Sequence, residues 1–207
     1  MKITKKLWDS NYELAELSLN TKFVQGLKSG KLPKHIFQEY LAQDYFFLET
    51  FARAYGLAVS KSKDKYSIRT LSQLLIGVSE ELILHETYAK EWDIDLSNNY
   101  IKPATKNYTD FLDNVSKKLS AVEIMFAMTP CMRLYSWIGQ RLLNMGFDKK
   151  YKEWIMTYSD KSFENLAQSL ENLIDSYQDS FDINQANYLY TRAMELELDF
   201  FKAYSDF

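Results

Sequence analysis

Three residues that can do chemistry, Asp44, Cys131 and Glu197, each fall within the apolar stripe of a predicted helix. Each alone could be an isolated polar residue of the core. Together they predict one buried pocket between helices, because helical bundles build their sites there and an unpaired buried carboxylate is strongly unfavourable. A thiolate for covalent attack, a carboxyl group for proton transfer and a second carboxylate to hold a ring amine indicate a nucleophilic hydrolase or transferase.

Cys131 is the only cysteine and directly follows Pro130, inside a helical pattern that extends from Ser120 to Gly146. Proline removes an amide donor and crowds the preceding turn, so the helix must either kink at Pro130 or restart there with Thr129 as N-cap. In a restarted helix, the free amides of the first turn would favour the thiolate. The alternative interpretation is a small buried core cysteine.

Glu81 and His85 lie four residues apart on the inner side of a predicted helix, a spacing that also suits two metal ligands. The chain has only two histidines, and the Glu-x-x-His motif of di-iron bundles is absent because Leu82 stands three residues before His85. We therefore expect no metal, no haem and no other cofactor, and interpret His85 as a hydrogen-bonded core histidine. No histidine is evident as a base for Cys131, which argues against a papain-like arrangement.

Several aromatic residues are candidates for the walls of the pocket. They are Tyr45, Phe47, Tyr108, Tyr135 and Tyr158. Aromatic walls suit a flat, weakly basic heteroaromatic ring, although an aromatic stripe at helical spacing also occurs in an ordinary core.

The elements that must position these residues are predicted helices. Apolar residues recur at helical spacing in residues 3–20, 33–60, 65–92, 105–119, 120–146, 148–157, 160–179 and from 182 onward. Ser120-x-x-Glu123 is a capping box, Asp182-x-x-Gln185 resembles a second, and Gly146 is placed to end a helix. We expect one all-α domain of about eight helices over residues 1–207, since six glycines and three prolines are too few for a turn-rich β fold.

Composition restricts the partners and the compartment. The 207 residues are 46% hydrophobic and carry a net charge of −3, with lysines scattered among acids, so no nucleic-acid partner is expected. A single cysteine cannot form an internal disulfide, which is typical of a reducing compartment. No segment approaches the roughly 18 apolar residues of a membrane span, and the N-terminus lacks the apolar run of a signal peptide. We expect a cytoplasmic protein with no membrane partner.

Six segments resemble the TenA family, also called thiaminase II, in that family's order and spacing over nearly the whole chain. They are FVQGLKSGKLP (23–33), YLAQDYFFLETFARAY (40–55), NYTDFL (107–112), TPCMRLYSWIG (129–139), WIMTYS (154–159) and ELDFFKAY (197–204). The most specific matches are the Gln43-Asp44 pair, the Pro130-Cys131 pair and Glu197, and Cys131 indicates the cysteine-bearing branch. The resemblance implies a haem-oxygenase-like helical bundle without haem, and a homotetramer.

The resemblance also implies an activity, the hydrolysis of aminopyrimidines in thiamin salvage. In it, 4-amino-5-aminomethyl-2-methylpyrimidine becomes its 5-hydroxymethyl counterpart with release of ammonia, and thiamin is hydrolysed more slowly. By this analogy Cys131 attacks the pyrimidine ring, Glu197 moves protons at the ring nitrogen and leaving group, and Asp44 binds the ring nitrogen and the 4-amino group. Further pocket positions are matched by Tyr108, Tyr135 and Tyr158.

One departure from the family pattern concerns the pocket. Phe47 stands where relatives commonly have a tyrosine, so one pocket hydroxyl is lost while the stacking face remains. Glu81 and His85 also match family positions, where we interpret them as a buried hydrogen-bond pair that supports the fold. Two alternatives to the hydrolase remain, a non-catalytic pyrimidine-binding or regulatory protein on the same fold and a metal-dependent oxidase.

Overall fold

Apolar residues at helical spacing form α-helices throughout the part of the chain that the structure, a computed structural model, describes. This part is residues 2–92, 94, 100–177 and 181–207, without the side chains of Leu84, Tyr88 and Glu91. The helices are α1 (Ile3–Ser10), α2 (Tyr12–Leu19), α3 (Lys22–Ser29), α4 (Lys34–Lys61), α5 (Lys65–Trp92), α6 (Pro103–Lys118), α7 (Ala121–Met145), α8 (Lys152–Ser159), α9 (Lys161–Ser176) and α10 (Ile183–Lys202), with a short 3-10 helix at Lys149–Tyr151. The prediction of an all-α protein is confirmed. No helix in the described residues combines the length and apolar character that crossing a membrane requires.

The described residues form two α-helices more than the eight expected segments. Residues 3–20 form two helices because the chain bends at Asn11, whose side-chain and main-chain nitrogens both donate to the carbonyl of Leu7, at 2.8 and 3.2 Å. The other additional helix is α3. Thr21 caps its N-terminus by accepting the amide of Val24 at 3.4 Å, and Gly30, with φ at +68°, ends it in the left-handed conformation.

The two predicted helix starts at Ser120 and Asp182 are confirmed. The hydroxyl and the amide of Ser120 both donate to Oε2 of Glu123, at 2.5 and 2.9 Å, at the start of α7. The carboxylate of Asp182 accepts the amides of Asn184 and Gln185, at 2.7 and 3.4 Å, at the start of α10. Each acceptor satisfies donors that a helix N-terminus otherwise leaves without partners.

The helices fall into two compact units. Unit 1 comprises Met1–Leu32 and Met125–Phe207, and unit 2 comprises Pro33–Ile124. The expectation that residues 1–207 form a single domain stays a prediction.

Unit 2 is built on α4, which packs against both α5 and α6. Lys61 in the last turn of α4 donates to the carbonyl of Leu119, just after the end of α6, at 2.6 Å. In the middle of α4, Gln43 accepts the amide of Lys102, just before the start of α6, at 2.8 Å. These bonds fix both ends of α6 along α4, and Gln43 directly precedes Asp44.

In unit 1, Pro130 lies inside a helix that continues without a break over Ala121–Met145. The alternative in which the helix restarts at Pro130 is therefore wrong. Thr129 is not an N-cap, and its hydroxyl donates to the carbonyl of Met125, one turn earlier, at 2.7 Å. Cys131 lies well inside the helix, away from the free amides of a helix N-terminus.

Arg133 ties α7 to α9. Its guanidinium donates to Glu171 through Nε and Nη2, at 2.8 and 2.7 Å, and to Glu164 through Nη1, at 2.7 Å. Ser136 and Gln140 also donate to Glu164, at 2.6 and 3.1 Å. Because Arg133, Ser136 and Gln140 follow each other at helical spacing, they form one polar face of α7.

The face of α7 opposite Arg133 is apolar and buried. It carries Cys131, Tyr135, Ile138 and Leu142. At 100° per residue, Cys131 lies roughly 160° round the helix from Arg133. The polar bonds on one face thus turn the face that carries Cys131 toward the interior of unit 1.

α7 and α8 approach each other closely at Gly139. A Cβ at this position would lie 2.5 Å from the carbonyl carbon of Tyr158 and 2.6 Å from the amide nitrogen of Ser159. Such distances are too short for any side chain, so the absence of one at Gly139 lets Tyr158 lie directly against α7.

Gly139→Ala is expected to lower the free energy of unfolding by about 1–3 kcal/mol, because main-chain atoms of α8 must move to admit the methyl group. Gly56→Ala is the matched control, since Gly56 also lies in a long helix but nothing is within 4 Å of a Cβ built there. This control should gain about 0.5–1 kcal/mol, because alanine favours the helix. Urea unfolding measures both values, and equal values would show that α7 and α8 do not meet this closely.

Arg133→Met is expected to lower the free energy of unfolding by about 3 kcal/mol at pH 7, because the buried carboxylate of Glu171 and the partly buried carboxylate of Glu164 lose their cation. Burial acts to raise the pKa of Glu164, but the bonds from Ser136 and Arg133 outweigh it and hold this pKa below its usual range. A lowered carboxyl pKa adds stability above the ordinary pKa that is lost as the pH falls. The difference in free energy of unfolding between the unaltered protein and Arg133→Met should therefore decrease below about pH 4.

Arg53→Met is the control for this measurement. Arg53 pairs with Glu49 at 3.8 Å, but both side chains are exposed. An exposed pair of this kind contributes little, so the control should unfold like the unaltered protein. Equal losses in the Arg133 and Arg53 variants would mean that burial of the Arg133 cluster has no effect on stability.

Candidate active site

Asp44 on α4 is buried and bonded to His85 on α5. The exposed fractions of the two residues are 3% and 5%. Nε2 of His85 lies 2.9 Å from Oδ2 of Asp44, and Nδ1 lies 3.0 Å from the carbonyl oxygen of Glu81. The expected hydrogen bond between Glu81 and His85 thus uses the main chain of Glu81. The side-chain partner of His85 is Asp44, which the sequence analysis missed.

The two neighbours of the His85 ring determine its protonation. A carbonyl oxygen only accepts, so Nδ1 carries a proton and donates to Glu81. Burial acts to lower the pKa of His85, but the hydrogen bond and charge of Asp44, together with the charge of Glu81, outweigh it and raise the pKa to about 9. At neutral pH the ring is therefore an imidazolium that donates from both nitrogens, and Oδ2 of Asp44 accepts.

Phe47 and Tyr108 form an aromatic wall in unit 2. Phe47 lies three residues after Asp44 on α4, a spacing that puts the two on one face. Its ring centroid is 4.6 Å from that of Tyr108 on α6, and both residues are buried. Tyr45, also considered for the wall, is only partly buried.

Tyr135 on α7 lies at the centre of an aromatic cluster in unit 1. Its ring centroid is 4.7 Å from that of Tyr158 and 5.8 Å from that of Trp154, both on α8. It is also 5.4 Å from the ring of Phe201 on α10. The cluster therefore joins α7, α8 and α10.

Cys131 and Glu197 each lie one helical turn before a member of this cluster. Cys131 is four residues before Tyr135, and Glu197 is four residues before Phe201. Residues so spaced share a helix face. Both are buried, with exposed fractions of 9% and 1%. A thiol and a carboxyl group thus lie on the two helix faces that meet at the contact between Tyr135 and Phe201.

The predicted site residues accordingly come together in two sets, one in each unit. Unit 2 holds Asp44, Phe47 and Tyr108, with His85 added, and unit 1 holds Cys131, Tyr135, Tyr158 and Glu197. That the two sets serve one substrate stays a prediction.

The possible metal ligands are engaged in other bonds or stand apart. Both ring nitrogens of His85 are occupied by hydrogen bonds to Asp44 and Glu81. In the described part of the chain, no group of three or more His, Cys, Asp or Glu side chains is arranged to hold a metal ion.

Two open cavities of unit 1 lie along the polar face of α7. One, of about 350 Å³, is lined by residues that include Arg133, Trp137 and Glu171. The other, of about 340 Å³, is lined by residues that include Gln140 and Glu164. None of the predicted site residues lines either cavity, so both belong to the face opposite Cys131.

The chain matches a family model described as the TENA/THI-4/PQQC family over residues 10–206. It is 32% identical to the aminopyrimidine aminohydrolase of Halalkalibacterium halodurans, over 84% of this chain and 81% of that protein. It is also 32% identical to the mitochondrial bifunctional TH2 protein of Arabidopsis thaliana, over 96% of this chain. The chain spans 36% of that longer relative.

Solved structures share the fold. A TenA family transcription regulator from Silicibacter sp. TM1040 superposes with a TM-score of 0.93 at 25% identity, over 99% of this chain and 97% of that one. Haem oxygenase-1 from the cyanobacterium Synechocystis superposes with a TM-score of 0.58 at 14% identity, over 98% and 92% of the two chains. The expected haem-oxygenase-like fold is confirmed by these matches.

Raising the pH should remove the stability that His85 contributes. Its pKa is about 9 in the folded protein, above the ordinary value. The protonated ring therefore stabilises the fold fully below about pH 6.5, and this contribution is lost as the pH rises through 9. We expect a loss on the order of 1–3 kcal/mol between these limits in the unaltered protein and a smaller loss in His85→Gln, whose amide does not titrate. Urea unfolding at pH 6, 8 and 10 checks this, and parallel pH curves for the two proteins would contradict it.

Proposed function

We propose, since the chain belongs to the TENA/THI-4/PQQC family, that it is an aminopyrimidine aminohydrolase. Its substrate would be 4-amino-5-aminomethyl-2-methylpyrimidine, its products the 5-hydroxymethyl counterpart and ammonia, and hydrolysis of thiamin a secondary activity. The observation that carries this proposal is the pair of buried residues Cys131 and Glu197, on helix faces that meet at one aromatic contact. The name of the relative from Halalkalibacterium supports the substrate class.

In the proposed reaction, the sulfur of Cys131 forms a bond to the ring carbon next to the one that bears the aminomethyl group, and a ring nitrogen takes up a proton. The ring electrons then expel the amine, which leaves as ammonia with a proton from Glu197. Water adds to the exocyclic methylene and returns a proton to Glu197. Breaking the carbon–sulfur bond restores the ring and the thiol, so water replaces ammonia and no oxidant is needed.

The remaining residues would bind the ring. Asp44 accepts a hydrogen bond from the 4-amino group, Phe47 stacks without donating, and three hydroxyls bond substrate or catalytic groups. Those hydroxyls belong to Tyr108, Tyr135 and Tyr158. Membership of the cysteine-bearing branch, assembly as a homotetramer and action in the cytoplasm are parts of the same proposal.

A second candidate function is a pyrimidine-binding or regulatory protein without turnover. The solved structure from Silicibacter is described as a transcription regulator, and Phe47 gives this chain one hydroxyl fewer than many relatives are expected to have. Ligand binding without ammonia release would support this candidate.

Cys131→Ser should release ammonia from 4-amino-5-aminomethyl-2-methylpyrimidine at least about 100-fold more slowly than the unaltered protein. Without a base to activate it, serine is a much weaker nucleophile than cysteine. Its thermal unfolding should stay close to that of the unaltered protein, since the substitution changes the volume little. An unchanged rate of ammonia release by Cys131→Ser would show that Cys131 is not the nucleophile.

Met132→Leu is the control, because it changes a buried neighbour of Cys131 at nearly constant volume and carries no proposed role. It should retain the rate of the unaltered protein. Loss of ammonia release in both variants would assign the effect to packing of α7 and not to the thiol.

A further inference from the structure

Asp44 is bonded on one oxygen only. In the described residues it receives a single hydrogen bond, from Nε2 of His85 to Oδ2 at 2.9 Å. Oδ1 receives none there, although the residue is only 3% exposed. In a residue that is largely removed from solvent, a donor to the remaining carboxylate oxygen is favourable, so Oδ1 has the character of a ligand atom.

The ring of His85 is itself held by a second hydrogen bond, and this limits the orientations that Asp44 can adopt. Its Nδ1 is fixed by the carbonyl of Glu81, one turn earlier on α5. With both nitrogens engaged, the ring cannot rotate without losing a hydrogen bond while buried. The acidic groups that act on the ring are Asp44 from α4, the helix packed against α5 in unit 2, and Glu81 from α5 itself.

We propose that His85 is a positioning residue for Asp44, whose imidazolium occupies Oδ2 and leaves Oδ1 as a pure acceptor for the exocyclic amine of an aminopyrimidine. The identity of this ligand rests on the proposed function, whereas the coupling of His85 to Asp44 does not. An ionised carboxylate cannot donate, so the site would favour a ring edge that presents N–H groups over one that presents a carbonyl oxygen. Without His85, Oδ2 of Asp44 would lose its donor and the carboxylate would lose its fixed orientation.

The coupling is tested first without substrate. The chain has two histidines, so ring proton signals observed by NMR from pH 5 to 10 report His85 and the exposed His35 separately. In the unaltered protein His85 should titrate near 9. In Asp44→Asn the midpoint of His85 should fall by about 2 pH units or more, because burial then acts with little opposition.

Titration of His85 at or below about pH 6.5 in the unaltered protein would overturn the proposal, whether or not Asp44→Asn folds. An unmoved midpoint in a folded Asp44→Asn protein would also overturn it. The ring signals of the exposed His35 serve as the internal standard, since a change in their positions at one pH would report a global change in structure.

The effect on the ligand is tested by calorimetric binding of 4-amino-5-hydroxymethyl-2-methylpyrimidine, which carries no aminomethyl group to titrate. The measurement is made in a Cys131→Ser background, which removes the thiol. Binding should weaken as the pH rises through 9, and His85→Gln should bind about 10-fold more weakly at pH 7 without this pH dependence, because its amide still donates but carries no charge. His35→Gln is the matched control and should behave like the background protein.

The two proposals fail in different ways. Absence of pyrimidine binding at every pH would reject the proposed ligand and with it the proposed function, while the NMR titration would still decide whether His85 and Asp44 are coupled. Tight binding with the same pH dependence in the background and in His85→Gln would reject the positioning role and leave the proposed function intact.

Discussion

The bonds from Arg133 to Glu164 and Glu171 are the constraint on which the arrangement of unit 1 depends. A guanidinium is planar, and three of its nitrogens here reach two carboxylates at distances of 2.7 to 2.8 Å. The three bonds restrict the rotation of α7 about its axis. The rotation that they allow turns the opposite face, with Cys131 and Tyr135, inward. The close approach at Gly139 then brings α8 near enough for Tyr158 to join the same aromatic cluster.

Unit 2 also contains a buried charge pair, formed by His85 and Asp44. This pair is less completely hydrogen-bonded than the cluster around Arg133. Around Arg133, three guanidinium nitrogens and both carboxylates are engaged, and Ser136 and Gln140 add further bonds. The pair of His85 and Asp44 leaves one carboxylate oxygen without a hydrogen bond in the described residues. The fully hydrogen-bonded cluster around Arg133 is explained by its role in helix packing. The Asp44 carboxylate has a remaining acceptor position, to which a ligand could donate a hydrogen bond.

The sequence was sufficient to predict most of the helices and the faces that they bury. The stripe on α4 and the cap at Ser120 follow from local patterns, and both are present. The bend at Asn11 could not be predicted, because apolar spacing continues across it. The outcome at Pro130 was also open from local rules, since packing along the whole of α7 outweighs the loss of one amide donor.

The pairing of Asp44 with His85 was missed for a different reason. Each residue was interpreted on its own helix, Asp44 as a carboxylate needing a partner and His85 as a companion of Glu81. The signal was available, because the two residues stand at similar distances before and after the connection between α4 and α5. An antiparallel pair of helices brings such positions together. The aromatic contact of Tyr135 with Phe201 has no such signal, since α7 and α10 are far apart in sequence and only packing determines which residues meet.

The position of Cys131 within α7 bears on how the proposed nucleophile would work. Free amides at a helix start would have stabilised a resting thiolate, but those amides are absent around a residue in the middle of a helix. In the proposed reaction, the thiol loses its proton as the sulfur attacks. The proposed substrate offers a basic ring nitrogen to take up that proton, and Glu197 lies on the facing helix to transfer it. A ring without a basic nitrogen would offer no acceptor, so in this mechanism the substrate supplies part of the chemistry that activates its own attack.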